Sequence, residues 1–142
     1  MKRSLILIAG LLTSIATYAD EASGNRLVSL ASANNTAAVV TLLNDNVSPN
    51  HVGSGGMTAL HLAALRGNNE MADALIKKGA NLNTKDGDGM TALMLAARGG
   101  KGNTVGLLLK AGASRMEVDK LGHSASYYAA LSGNKETLSL FK

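Results

Sequence analysis

Thr58-Ala59-Leu60-His61-Leu62-Ala63-Ala64 returns 33 residues later as Thr91-Ala92-Leu93-Met94-Leu95-Ala96-Ala97. A third, looser copy, Ser124-Ala125-Ser126-Tyr127-Tyr128-Ala129-Ala130, follows after the same step. The period also holds away from these segments. Gly67, Gly100 and Gly133 keep it, as do Gly79 and Gly112, and so do the apolar triads Val39/Leu42/Leu43, Ala72/Leu75/Ile76 and Val105/Leu108/Leu109. Leu138 and Phe141 continue that register. A fixed period in the range of about 20 to 50 residues means stacked units, each sheltering its apolar face against its neighbours.

Within each unit the spacing predicts two helices and a hairpin. The second unit has its hairpin at Val52-Gly53-Ser54-Gly55-Gly56, an inner helix from about Thr58 to Leu65 and an outer helix from about Glu70 to Lys77. In the third, the hairpin is Lys85-Asp86-Gly87-Asp88-Gly89, the inner helix runs from about Thr91 to Arg98 and the outer from about Thr104 to Lys110. Thr58 and Thr91 stand where a hydroxyl caps a helix start. Small Ala63, Ala64, Ala96, Ala97, Ala129 and Ala130 let successive helices approach closely. A large residue there overpacks the stack, at about 1 to 3 kcal/mol.

These residues resemble the ankyrin repeat, whose pattern runs Asp-x-x-Gly-x-Thr-Pro-Leu-His-x-Ala-Ala, a Gly, then Val-x-x-Leu-Leu-x-x-Gly-Ala-x-x-Asn. Gly56-Met57-Thr58, Gly79-Ala80-Asn81-Leu82-Asn83, Asp86-Gly87-Asp88-Gly89-Met90-Thr91 and Lys110-Ala111-Gly112-Ala113 carry the likeness, which covers nearly all of residues 25 to 142. It implies an all-α solenoid with two full internal repeats between degenerate N- and C-terminal caps, at about 20–52, 53–85, 86–118 and 119–142. The pattern's Pro is absent. Ala59, Ala92 and Ala125 replace it, good helix formers that leave the unfolded chain freer. The resemblance also gives His61 a hydrogen-bonding role at the hairpin base.

The two ends depart most from the pattern. Residues 20 to 25 read as frayed, and Leu27, Leu30 and Ala31 then take the inner-helix apolar positions. Asn34 replaces the turn glycine, and Thr36 to Leu43 forms the second helix. At the other end Ser126 replaces the Leu of the pattern, the outer helix is expected to end at Phe141-Lys142, and Phe141 to cover the open end. Terminal units have one face toward water, so such departures suit caps.

Ahead of the repeats, Met1-Lys2-Arg3 precedes an apolar run from Leu5 to Ile15 and then Thr17-Tyr18-Ala19-Asp20. A basic start, a short apolar run and small residues at minus three and minus one fit a secretory signal at 1–19, cleaved after Ala19. The run is short for a membrane span. An uncleaved anchoring segment is the alternative. The signal's brevity points to a bacterial periplasm, with secretion beyond it as the other destination. Removing 19 of 142 residues leaves 123, one domain's worth, carrying 12 basic against 10 acidic residues. That balance argues against a nucleic-acid binder. With no Cys there is neither a disulfide framework nor thiol chemistry, and no acceptor for a lipid anchor.

Catalytic motifs are poorly represented. Gly99-Gly100-Lys101-Gly102 and Gly53 to Gly56 look like phosphate cradles but do not complete a P-loop, and the repeat already assigns both to turns. Asp86-Gly87-Asp88-Gly89 looks like a calcium loop, but its twelfth position is Ala97 rather than Glu. His51, His61 and His123 lack metal-ligand spacing, and Gly-x-Ser-x-Gly is absent. Neither cofactor nor catalysis is expected.

Binding remains. By the resemblance, hairpin tips and inner helices line a concave face. Residues not held by packing there are Val52, Ser54, Gly55, Met57, Leu65 and Arg66; Lys85, Gly87, Asp88, Met90, Arg98 and Gly99; and Val118, Lys120, Leu121, His123, Leu131 and Ser132. Met57, Met90 and His123 recur at the repeat step, and the methionines either meet a partner or shield the hairpin base. The expected partner of this monomer is a protein. The readings open at this point are an exported protein-binding module, an immunity protein occluding a periplasm-acting toxin, and a small enzyme or ligand-binding protein that uses the groove.

Overall fold

The computed structural model describes the backbone of residues 2–142, and the side chains from residue 15 onward. Eight α-helices and a 3-10 turn at Ser54–Gly56 make up its regular structure among the described residues. The helices are α1 (Lys2–Ser32), α2 (Thr36–Asn44), α3 (Ala59–Arg66), α4 (Asn69–Lys77), α5 (Ala92–Arg98), α6 (Gly102–Ala111), α7 (Ala125–Leu131) and α8 (Lys135–Ser139). They pair antiparallel. The inner row is α1, α3, α5 and α7, the outer row is α2, α4, α6 and α8, and each helix packs on its counterpart in the next repeat. The predicted all-α solenoid is the architecture found.

The start of every inner helix in the internal and C-terminal repeats is set by a hydroxyl. Thr58, Thr91 and Ser124 accept the backbone N–H of His61, Met94 and Tyr127 respectively, which stops the chain continuing as a strand. Outer helices use asparagine instead: Asn35, Asn68 and Asn134 cap α2, α4 and α8. Lys101 holds that step before α6 and makes no side-chain cap. Between inner and outer helix the chain turns through the left-handed region at Asn34, Gly67, Gly100 and Gly133. Asn is among the few residues with a side chain that tolerate this backbone, so the first repeat turns without glycine.

Packing follows the triads. Leu27, Val39, Leu60, Leu75, Leu93, Val105 and Leu108 are fully or almost fully buried, with Ala63, Ala64, Ala96, Ala97 and Ala129 between them. Ala130 is exposed, unlike the other alanines of its kind. Phe141 and Leu138 pack partly against the core, as expected of a capping unit. The last outer helix stops at Ser139, however, because Leu140, Phe141 and Lys142 close it with turn-type bonds, Phe141 N–H to Leu138 O among them.

The segment expected to fray is helical. Residues 20 to 25 continue α1, Gly24 is buried against the His51 ring, and Asn25 Oδ1 lies 2.9 Å from His51 Nε2. The start of α1 within the first repeat thus packs on His51, just ahead of the second repeat's hairpin. Met1 and the side chains of residues 2–14, and with them most of the expected signal at 1–19, lie outside the described residues. Among the described residues no helix is long and apolar enough to cross a membrane.

Candidate protein-binding groove

The hairpins are built from three bonds repeated at the 33-residue step. Gly53, Asp86 and Asp119 donate their N–H to the carbonyls of Met57, Met90 and His123 at 2.8, 2.9 and 3.0 Å. Adjacent tips are joined too: Gly87 N–H reaches Gly55 O at 2.7 Å and Lys120 N–H reaches Asp88 O at 3.2 Å. In the third and fourth repeats an aspartate stiffens the turn. Asp86 Oδ1 accepts the N–H groups of Asp88 and Met90, and Asp119 Oδ1 those of Leu121 and His123, all at 2.9 Å. The Asp86 carboxylate is therefore a turn element.

His61 locks one repeat to the next. Its Nδ1 accepts the Thr58 N–H at 3.1 Å, so the proton sits on Nε2, which donates to Met90 O at 3.0 Å. The ring is 1% exposed, and burial pushes its pKa below the ordinary 6.5 against the raising effect of the Met90 bond. The hydrogen-bonding role expected at the hairpin base is what the geometry gives it.

The candidate residues fall into distinct settings. Ser54, Leu65, Arg66, Lys85, Asp88, Arg98, Lys120 and Leu121 are exposed. Arg66 is nonetheless tied down, its guanidinium donating to Ser32 O, and Lys85 bonds to Val118 O at 2.8 Å and pairs with Glu117 at 3.3 Å. Met57 and His123 are half-buried. Met90 is only 4% exposed, which favours shielding of the hairpin base among the two roles open to it.

Two clefts of the same kind open on the concave side. One, of about 470 Å³, lies between the first and second repeats, lined by Ser29, Ser32, Ser54, Met57 and Leu62 among others. The other, of about 320 Å³, lies between the third and fourth and is lined by Asp88, Met90, Arg98, Asp119, Lys120, Leu121 and Tyr128. Part of their walls corresponds at twice the repeat step: Ser32 with Arg98, Gly53 with Asp119, Ser54 with Lys120 and Leu62 with Tyr128. Five of the candidate residues meet in the second cleft.

Two family models match this chain: one described as ankyrin repeats (many copies) over residues 42–89, the other as ankyrin repeats (3 copies) over residues 78–141. The chain belongs to the ankyrin-repeat family. Ankyrin repeats are generally protein–protein interaction modules, so this ankyrin stack has a protein partner as its expected guest. No curated protein matches the chain.

Sequence reasoning missed the latch under the second ankyrin cleft. Tyr128 O–H donates to Asp119 Oδ2, and this bond holds the Asp119 carboxyl below the usual carboxylate range, helped by the His123 and Leu121 N–H groups. The same bond pushes Tyr128 up to about 12. The signal was present in the conserved step from Asp86 to Asp119, but Tyr128 stands where Leu62 and Leu95 stand, and position alone gives no hint of a hydrogen bond.

Proposed function

We propose that this ankyrin stack is a non-catalytic module that binds a protein partner through its concave face, outside the cytoplasm. The observation that carries the binding reading is the row Leu65, Arg98 and Leu131, which recurs at the repeat step on the inner helices and is exposed at every step. Packing demands neither two large apolar side chains nor an arginine at solvent-facing positions, and exposed apolar groups beside clefts suit a protein surface.

Export rests on the basic start, the apolar run and Thr17-Tyr18-Ala19. Residues 15 to 22 are exposed, so among the described residues losing those up to Ala19 removes none of the buried core side chains. Asp20 and Glu21 would then open α1, where acidic side chains complement the helix dipole.

The test is affinity purification from a periplasmic extract with the unaltered protein and with a Leu65→Asp, Leu131→Asp double variant. A partner that co-elutes with the first and not with the second, while both give the same circular dichroism spectrum, is the expected result. Equal recovery of the partner by both would rule out this face. Export is checked separately by N-terminal sequencing of the mature protein, expected to begin at Asp20.

A further inference from the structure

The two clefts share four lining positions at twice the repeat step and differ in chemistry at them, and the difference is not required by the fold. At the positions of Ser32 and Ser54 in the first cleft the second has Arg98 and Lys120. Between them in the stack the same positions are Leu65 and Gly87, so these steps accept a hydroxyl, an alkyl group or nothing. A cation here is not needed for packing.

Neither cation is in an ion pair among the described residues. Arg66, one repeat earlier, donates to a backbone carbonyl of the neighbouring repeat. Arg98 instead reaches only Met90 Sδ, at 3.5 Å, a weak acceptor that leaves most of its five N–H donors to solvent. Among the described residues no carboxylate lies within 4.0 Å of Arg98 or Lys120. Asp119 is on the cleft wall too; the Leu121 and His123 N–H groups and the Tyr128 hydroxyl engage both its oxygens, which leaves it no lone oxygen for the cations but keeps it charged, so it opposes an acidic guest as Asp88 does. Asp88 also faces the cleft and forms no ion pair with either cation. Leu121, 78% exposed, supplies an apolar wall beside the charges.

We propose that the cleft between the third and fourth repeats selects an acidic side chain, Asp or Glu, in an extended segment of the protein partner, held by Arg98 and Lys120 against Leu121. The proposal rests on the concave face being the binding face. A guanidinium with free donors takes a carboxylate through two parallel bonds, the ammonium adds a point charge, and the alkyl wall receives the stem of the acidic side chain. Asp88 opposes this guest, which separates a carboxylate site from a merely sticky one: removing its charge must strengthen binding.

The probe is a displayed library of eight-residue peptides selected on the unaltered protein at low salt. Selected peptides are expected to carry Asp or Glu at one fixed position, and Glu→Gln in the best of them to weaken binding about tenfold. Arg98→Gln is expected to weaken the Glu peptide by a similar factor and leave the Gln peptide unchanged, while Asp88→Asn tightens the Glu peptide a few-fold. Circular dichroism confirms that both variants fold. Peptides without an acidic consensus whose binding is abolished by Leu65→Asp with Leu131→Asp would overturn the carboxylate site and leave the groove standing. Acidic peptides indifferent to Arg98→Gln would overturn it too. Selection of no peptide would overturn it and count against the groove as well.

Discussion

His61 and Tyr127 occupy the same step of the repeat, two units apart, and meet opposite surroundings. His61 is 1% exposed beneath the next hairpin, whereas Tyr127 is 43% exposed and stacks flat on His123 at 4.0 Å. A second row behaves alike. Asn50 and Asn83 accept the backbone N–H of Asn81 and Ser114 in the following repeat, at 2.7 and 2.8 Å, while the third step is Met116, 85% exposed. The first two repeats supply the polar side chains at these steps, which bond forward to the next repeat's backbone. At the later ends of the two rows, Met116 in the third repeat and Tyr127 in the fourth, the same steps carry large side chains with no such bond among the described residues. A repeat position thus has no fixed value; what it contributes depends on whether a neighbour covers it.

The sharpest way to break this contrast is to place a charge at a covered and at an open position. Leu108→Asp buries an unpaired carboxylate and is expected to abolish the cooperative thermal melt, since the loss rivals a total stability of about 5 to 15 kcal/mol. Leu131→Asp, at an open step, is expected to stay within about 1 kcal/mol. A normal melt for Leu108→Asp would refute the stacking account.

His61→Ala leaves the Thr58 N–H without its partner, removes one of the two donors to the Met90 carbonyl and opens a cavity, for an expected loss of about 2 to 4 kcal/mol in urea denaturation. Tyr127→Ala is expected to lose under about 1 kcal/mol by the same measurement. The two also differ with pH. Because burial lowers the His61 pKa, the unfolded chain binds its proton more readily than the folded one. Its contribution is therefore present above the ordinary 6.5 and is lost as pH falls from there toward the lowered folded value. His61→Met, which copies Met94 at the next step, is expected to remove that part of the pH dependence of the urea midpoint.

A smaller contrast lies in the outer row. Thr104 donates to Asn69 Oδ1 at 2.6 Å, whereas the buried Thr137 hydroxyl has no partner among the described residues, because Gly102 holds the place of Asn69 one step on. Thr104→Val is expected to lose about 1 kcal/mol, and Thr137→Val to be neutral or stabilising. The smallest effect is a gain. Lys101→Asn restores the side-chain cap that α2, α4 and α8 have and α6 lacks, for about 0.5 to 1 kcal/mol in thermal denaturation.

Much of the fold was legible because the period repeats independent local signals. Thr58 and Thr91 cap where a hydroxyl before an apolar run should, and Asn34 turns left-handed where glycine recurs in the other repeats. The asparagine caps of the outer helices were equally legible in the spacing of Asn35, Asn68 and Asn134, but only once the outer helices are given their starts. The groove was less legible. Arg66 and Arg98 look alike as residues, yet one is bonded to Ser32 O and the other keeps its donors free. Met57 and Met90 occupy one register and each lines a cleft, yet Met90 is buried while Met57 is only half-buried.

By itself the sequence determined the unit, its period, its caps and the order of the stack, because these depend on residue type and short spacing along one chain. Only the tertiary structure decided which repeated positions are covered, which cations are left free and which two clefts correspond. Those properties belong to pairs of repeats, and the surroundings of a side chain across a 33-residue step are set by whatever the neighbouring repeat brings against it.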